Sequence, residues 1–112
     1  ISRIKKDIET IGEKFLNRVY TQKEIEYCES KKNQKYQSYA ARFAAKEAIY
    51  KALSNFINFE YSWKDFEILN DENGKPHVKL NFKIEHLEDL QISLSHCKEY
   101  AVANVVAIYK EK

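Results

Sequence analysis

The 112-residue chain is long enough for one compact domain with its own apolar core. Its composition, 44% hydrophobic and 32% charged with two glycines and one proline, excludes collagen-like and Pro/Gly-rich disordered chains. Nineteen basic residues are interspersed with seventeen acidic ones, so the net charge of +2 does not indicate a nucleic-acid binder, and no apolar run approaches the roughly 20 residues of a membrane span. Cys28 and Cys97 form no C-x-x-C pair and fit a reducing cytoplasm, the expected location.

Along the chain, Ile1, Ile4, Ile8 and Ile11 recur at helical spacing with Arg3, Lys5, Lys6 and Asp7 off the stripe, and Gly12 is expected to end that helix. Thr21 followed by Glu24 is a capping box, which predicts a second helix from Gln22 to about Lys31. Lys31 to Lys35 reads as a solvated turn. Tyr36 to about Leu53 is predicted to be a third helix, alanine-rich and free of Gly and Pro. The period then changes. Phe66, Ile68 and Leu69 open a strand that runs into Asn70-Asp71-Glu72-Asn73-Gly74-Lys75-Pro76, a hairpin signal in which Asn-Gly supplies positive φ angles. Val78, Leu80 and Phe82 form the return strand, and Glu85 to Leu90 is a helical turn or an irregular connection. Leu90, Ile92, Leu94 and His96 alternate again. Tyr100 to Tyr109 is apolar on both faces, which predicts a central position in the sheet. The expected fold is therefore α+β, with N-terminal helices packed on a small antiparallel β-sheet and a single domain over residues 1–112.

Chemistry concentrates in Arg42-Phe43-Ala44-Ala45-Lys46-Glu47-Ala48-Ile49-Tyr50-Lys51-Ala52. Glu47 precedes Lys51 by four residues. One reading is a solvated ion pair worth about 0.2–0.5 kcal/mol. The other places Glu47 at a cleft edge as an oxygen ligand for a hard cation, with Lys51 facing the same phosphate-rich ligand one turn on. Lys46 neighbours Glu47 but points about 100° away and is read as structural or peripheral. Ser93 and Ser95 lack a nucleophile elbow, and His77 and His86 lack zinc-ligand spacing, so neither serine hydrolysis nor zinc chemistry is indicated.

The Arg42–Ala52 segment resembles the R-F-A-A-K-E-A-x-x-K-A signature of holo-[acyl-carrier-protein] synthase, the small bacterial phosphopantetheinyl transferase family. Three further segments are similar to that family in the same order. They are Phe15-Leu16-Asn17-Arg18-Val19-Tyr20-Thr21 with Glu24, Phe66-Glu67-Ile68 with Asn73-Gly74-Lys75-Pro76, and Ser93-Leu94-Ser95-His96-Cys97-Lys98-Glu99-Tyr100-Ala101. The resemblance implies a phosphopantetheinyl transferase-like fold. It implies transfer of phosphopantetheine from coenzyme A to a serine hydroxyl of an acyl carrier protein, with Mg²⁺ as cofactor and a role in fatty acid synthesis. Such a reaction cleaves a pyrophosphate, so neutralising charge on phosphate oxygens and aligning the attacking hydroxyl make up most of the task.

By the same resemblance, Glu47 is a metal ligand and Lys51 stabilises the leaving phosphate or a transferring proton. Arg42, Lys51, Asn73, Gly74, Lys75, Pro76 and His96 line the coenzyme A site, with Arg42 and His96 at its phosphates and the Asn73–Pro76 turn at its adenine end. Arg3, Lys14 and Arg18 belong to a basic patch that docks the acidic carrier protein; solvated helix charges are the plainer reading of Lys14 and Arg18. A homotrimer with active sites between subunits is implied as well. Two features depart from the family pattern. The family's first strand, whose aspartate is the other metal ligand, is expected shortly upstream of Ile1. Ser54-Asn55-Phe56-Ile57 stands where a Gly-rich turn is usual. These departures motivate the alternative of an inactive structural relative. A nucleic-acid-binding module, suggested by eight tyrosines and six phenylalanines among the lysines, is disfavoured because the aromatics sit at core periodicities.

Overall fold

A computed structural model of the chain describes residues 1–110, which form four α-helices followed by four β-strands. The isoleucine stripe folds as α1, Ser2–Ile11, with Ile4 buried and Ile1 and Ile8 packed beside it. Gly12 ends the helix at φ +74°, a left-handed conformation that glycine adopts without strain, and its N–H donates to the Ile8 carbonyl. The chain turns straight into α2, Glu13–Val19, which buries Phe15 and Val19. The helix charges read at Lys14 and Arg18 lie on it, but its bounds were not drawn from the sequence, because seven residues hold too little of a repeat to delimit one.

The capping box is formed as expected. The Thr21 hydroxyl accepts from the Glu24 amide at 3.3 Å and the Glu24 carboxylate accepts from the Thr21 amide at 2.9 Å, opening α3, Gln22–Ser30. A short 3-10 turn, Lys32–Gln34, leads into α4, Lys35–Leu53, the longest helix. Its first half packs with Ile4, Phe15, Val19, Tyr20 and Cys28. Its second half, through Ala45, Ile49 and Leu53, packs on Phe66, Ile68 and Ile84. Trp63, in a 3-10 turn (Trp63–Asp65), borders both clusters. The small alanine side chains let the strands approach α4 closely, which is the packing reason for an alanine-rich sequence there.

The strands make two antiparallel hairpins. β1, Phe66–Asn70, pairs with β2, Pro76–Leu80, with Ile68 opposite Val78. β3, Leu87–His96, pairs with β4, Ala101–Tyr109, with Ile92 opposite Val105 and a register shift between Leu87 and Asp89. Three expectations are corrected. Of Glu85 to Leu90, read as a helical turn or an irregular connection, only Glu85 and His86 form a turn, with His86 at φ 64°, and Leu87 to Leu90 is strand. In the β1–β2 turn only Gly74 takes a positive φ, +80°, so Asn73 does not share the left-handed region with it. β4 is not central: among the described residues its sheet has two strands, and β3 is its partner. Ala103, Val105 and Ala107 face the core, while Val102, Val106 and Ile108 are exposed on the other face. Apolar residues on both faces thus mark a surface that this chain by itself leaves open, not a second neighbouring strand.

Candidate active site

At about 3.6 residues per turn, Glu47 lies about 140° around α4 from Arg42 and Lys51 about 180° from it, whereas Lys46 follows Arg42 by one turn. The helix accordingly sends Arg42 and Lys46 into the protein and Glu47 and Lys51 into solvent.

Lys46 is fully buried. Its ammonium donates to Glu24 Oε1 at 2.8 Å, to the Phe66 carbonyl at 2.8 Å and to the Trp63 carbonyl at 2.9 Å, which uses all three of its donors. Glu24, equally buried, accepts from the Ile68 amide through Oε2 at 3.0 Å. One carboxylate therefore caps α3, neutralises α4 and bonds the backbone of β1. Burial lowers the Lys46 pKa, and the adjacent Glu24 carboxylate opposes that shift. Lys46 is structural, as its spacing suggested, but it is interior and not peripheral.

One turn earlier, Arg42 is 3% exposed. Its guanidinium lies over the Tyr27 ring at 4.0 Å, and Nη2 donates to the side-chain oxygen of Asn70. Its Nε is buried and has no hydrogen-bond partner among the described residues. Asn70 in turn donates through Nδ2 to the Gly74 carbonyl at 2.9 Å. These residues line a cavity of about 240 Å³ together with Ser38, Pro76, Leu94 and His96. A buried arginine with a free N–H beside backbone and imidazole groups is a recess suited to an anion, since phosphate oxygens supply the acceptor the guanidinium lacks.

Of the residues singled out from the sequence, the cavity brings together Arg42, Gly74, Pro76 and His96. Lys75 faces a neighbouring cavity of about 320 Å³, shared with Pro76, His77, Asp89 and Gln91. Asn73 is exposed in the turn and lines neither. Lys51 lies on the opposite side of α4, so this chain does not join it to the Arg42 recess. Glu47 and Lys51 do not form the ion pair their spacing offers: among the described residues no cation is within pairing distance of the Glu47 carboxylate. No group of three or more His, Cys, Asp or Glu that could hold a metal occurs among the described residues. Arg3 on α1 and Lys14 and Arg18 on α2 are all exposed. Tyr27, Ser38 and Asn70 were not anticipated. Asn70 carried one usable signal, its place at the entry of the hairpin turn; Tyr27 and Ser38 reach the cavity only through the packing of α3 on α4.

The chain is similar to known proteins over nearly its whole length. The model of the 4'-phosphopantetheinyl transferase superfamily matches residues 1–105. The chain belongs to this superfamily. Within it the relationship is to the holo-[acyl-carrier-protein] synthases. That of Ruminiclostridium cellulolyticum is 50% identical over 112 residues, covering 95% of this chain and 84% of the relative. The crystal structure of the Helicobacter pylori holo-[acyl-carrier-protein] synthase superposes with a TM-score of 0.82 at 33% identity, over 96% of this chain and 92% of that one. The Bacillus anthracis enzyme superposes with a TM-score of 0.77 at 38% identity, over 95% and 86%. The α+β phosphopantetheinyl transferase fold expected from the sequence is the fold observed, and the chain is a member of a transferase family. Among the described residues of this phosphopantetheinyl transferase, no helix is long and apolar enough to cross a membrane.

Proposed function

We propose that this chain transfers the phosphopantetheine group of coenzyme A to a serine hydroxyl of an apo-acyl carrier protein, in a Mg²⁺-dependent reaction that serves fatty acid synthesis. The observation that carries the reading is the Arg42 recess, a buried arginine that lines a cavity with Asn70, Gly74, Pro76 and His96 and whose Nε has no hydrogen-bond partner among the described residues. The Helicobacter pylori relative is described in complex with coenzyme A and the Bacillus anthracis one with coenzyme A (3',5'-ADP), both ligands rich in phosphate.

In this reading Arg42 and His96 hold phosphate, and the Gly74–Pro76 turn meets the nucleoside end. Lys75 contributes from the adjoining cavity, with Asn73 at the turn's exposed tip. A P–O bond forms between the carrier serine oxygen and the phosphorus bearing pantetheine. The pyrophosphate P–O bond breaks, 3',5'-ADP leaves with the bridging oxygen, and the serine proton passes to solvent water. Lys51 offsets charge developing on the leaving phosphate. Glu47 is exposed and, among the described residues, free of a competing cation, which suits a magnesium ion that takes one or two protein carboxylates plus phosphates and waters. Bound there, the ion would polarise the phosphoryl oxygens.

Arg42 and the Glu47–Lys51 pair point to opposite sides of one helix, so a single subunit offers two half-sites. A homotrimer in which one copy's Arg42 recess meets another's Glu47 and Lys51 resolves this. The exposed face of β4, with Val102, Val106 and Ile108, supplies a surface for the contact. Exposed Arg3, Lys14 and Arg18 are the cations for docking an acidic carrier protein.

The deciding experiment incubates the protein with coenzyme A, Mg²⁺ and apo-acyl carrier protein and reads intact mass. A phosphopantetheine increment on the carrier, absent without Mg²⁺, is expected. No increment on any of several carrier proteins would overturn the reading in favour of an inactive relative.

A further inference from the structure

Between β1 and β2, beside the Arg42 recess, the turn is built around one side chain, that of Asp71. Asp71 begins the turn. Its Oδ1 accepts from the Asn73 amide and from the Lys75 amide, each at 2.9 Å, and its Oδ2 meets His77 Nε2 at 3.1 Å. The Asp71 amide donates to the Lys75 carbonyl and the Gly74 amide to the Asp71 carbonyl, both at 2.9 Å. The Gly74 carbonyl is thereby left pointing back across the turn, where it accepts from Asn70 Nδ2. Asn70 can then present only its oxygen to Arg42, because its amide nitrogen is committed to Gly74.

We propose that Asp71 is a positioning residue for coenzyme A: its carboxylate holds the Asp71–Lys75 turn in the shape that fixes Gly74 and, through Asn70, aims Arg42 into the cavity. The inference rests on the reading of this cavity as the coenzyme A site. The physical basis is preorganisation. A five-residue turn closing a hairpin would otherwise sample many shapes, and Gly74 has the widest choice of all. Order supplied before the ligand arrives is not subtracted from binding. Asp71 is exposed and does not line the Arg42 cavity, so it acts through its neighbours and not by touching the ligand. The turn amides and His77 hold its carboxyl below the usual carboxylate range, which keeps it an acceptor at neutral pH.

The test compares Asp71→Ala and Asp71→Asn with the unaltered chain, by calorimetric titration of coenzyme A and by steady-state kinetics. Asn retains an oxygen for both turn amides and a nitrogen for His77; Ala retains neither. For Asp71→Ala the expected result is a coenzyme A dissociation constant and KM raised about tenfold, the equivalent of about 1.4 kcal/mol. The KM for the carrier protein and the thermal midpoint should be unmoved, and Asp71→Asn should lie within about twofold of the parent on every readout, a change below about 0.4 kcal/mol. Equal coenzyme A affinity in Asp71→Ala and the parent overturns the proposal, as does a fall in Asp71→Ala matched by a fall in thermal midpoint. Failure of the unaltered chain to bind coenzyme A would instead bring down the reading of the cavity itself.

Discussion

Arg42 and Lys46 sit one turn apart on the inward side of α4 and are both cations in a protein interior, yet their surroundings give them different work. Lys46 finds an acceptor for each of its three N–H groups and a carboxylate to balance its charge, so nothing of it remains for a ligand. Arg42 lines a cavity, and its buried Nε has no partner among the described residues, an unmade hydrogen bond that costs about 1–3 kcal/mol. Spacing and family resemblance gave the two different parts, but the acceptors that use up Lys46 come from α3, β1 and the Trp63 turn and could not be read from α4 itself. Glu47 is the reverse case, an exposed carboxylate with no ion-pair partner among the described residues. Glu47→Gln should lower turnover by at least about 100-fold, or about 2.7 kcal/mol of transition-state stabilisation, with the circular-dichroism spectrum and thermal midpoint unchanged. Unchanged activity would remove Glu47 as the metal ligand.

At the level of elements, the Glu24 carboxylate connects three of them, and this sets its importance apart from that of an ordinary helix cap. Thr21→Ala removes only the hydroxyl half of the capping box and should cost about 1 kcal/mol. Glu24→Ala additionally strands the Lys46 ammonium in the core and leaves the Ile68 amide without its acceptor, for an expected loss of about 3–5 kcal/mol. In a domain of this size that lowers the thermal midpoint by at least about 12 °C. Equal shifts for the two variants would reduce Glu24 to a cap. The capping box was legible because it is local: Thr21 and Glu24 stand three residues apart. That the same carboxylate reaches across to Lys46 and Ile68 was not, since those contacts span the fold. Cys28 adds a pH dependence to the α3–α4 interface. Burial pushes its thiol up to about 12, whereas an unfolded thiol ionises near about 8.5. The folded state then holds the proton more tightly, so stability present below about pH 9 declines as pH rises toward about 12. Urea midpoints between pH 8 and 11 should fall, and fall less steeply in Cys28→Ala, the remainder coming from Tyr20 and Tyr39, whose phenols burial also raises.

For the whole molecule, the decisive feature is that its candidate site is divided between two sides of α4 while one face of β4 remains apolar and open. If copies of the chain close over that face, Val106→Asp, at a position 57% exposed here, should leave each subunit folded and convert the assembly to monomers by sedimentation analysis. Turnover should drop in the same variant because the two half-sites no longer meet. An active, fully monomeric Val106→Asp protein would show that one chain suffices. Carrier docking is tested separately: Arg3→Glu should raise the KM for the carrier protein about tenfold while leaving that for coenzyme A unchanged, the effect of reversing one surface charge on an acidic partner.

What the amino-acid sequence determined by itself was whatever depends on near neighbours: the isoleucine stripe of α1, the Thr21–Glu24 cap, the alanine-rich α4, the alternation of β3, and motifs dense enough to reveal a family. Family resemblance also carried Arg42, Gly74, Pro76 and His96, which come from three distant parts of the chain and lie together in space. The tertiary structure alone decided that Lys46 is spent on Glu24, that Asn70 and Tyr27 join Arg42, that Asp71 organises the turn, and that β4 ends as an edge with an open apolar face. The physical reason is common to all of these. Which side of a helix is buried follows from a period of about 3.6 residues, but which partner a buried charge finds is set by elements that meet only after the chain has folded.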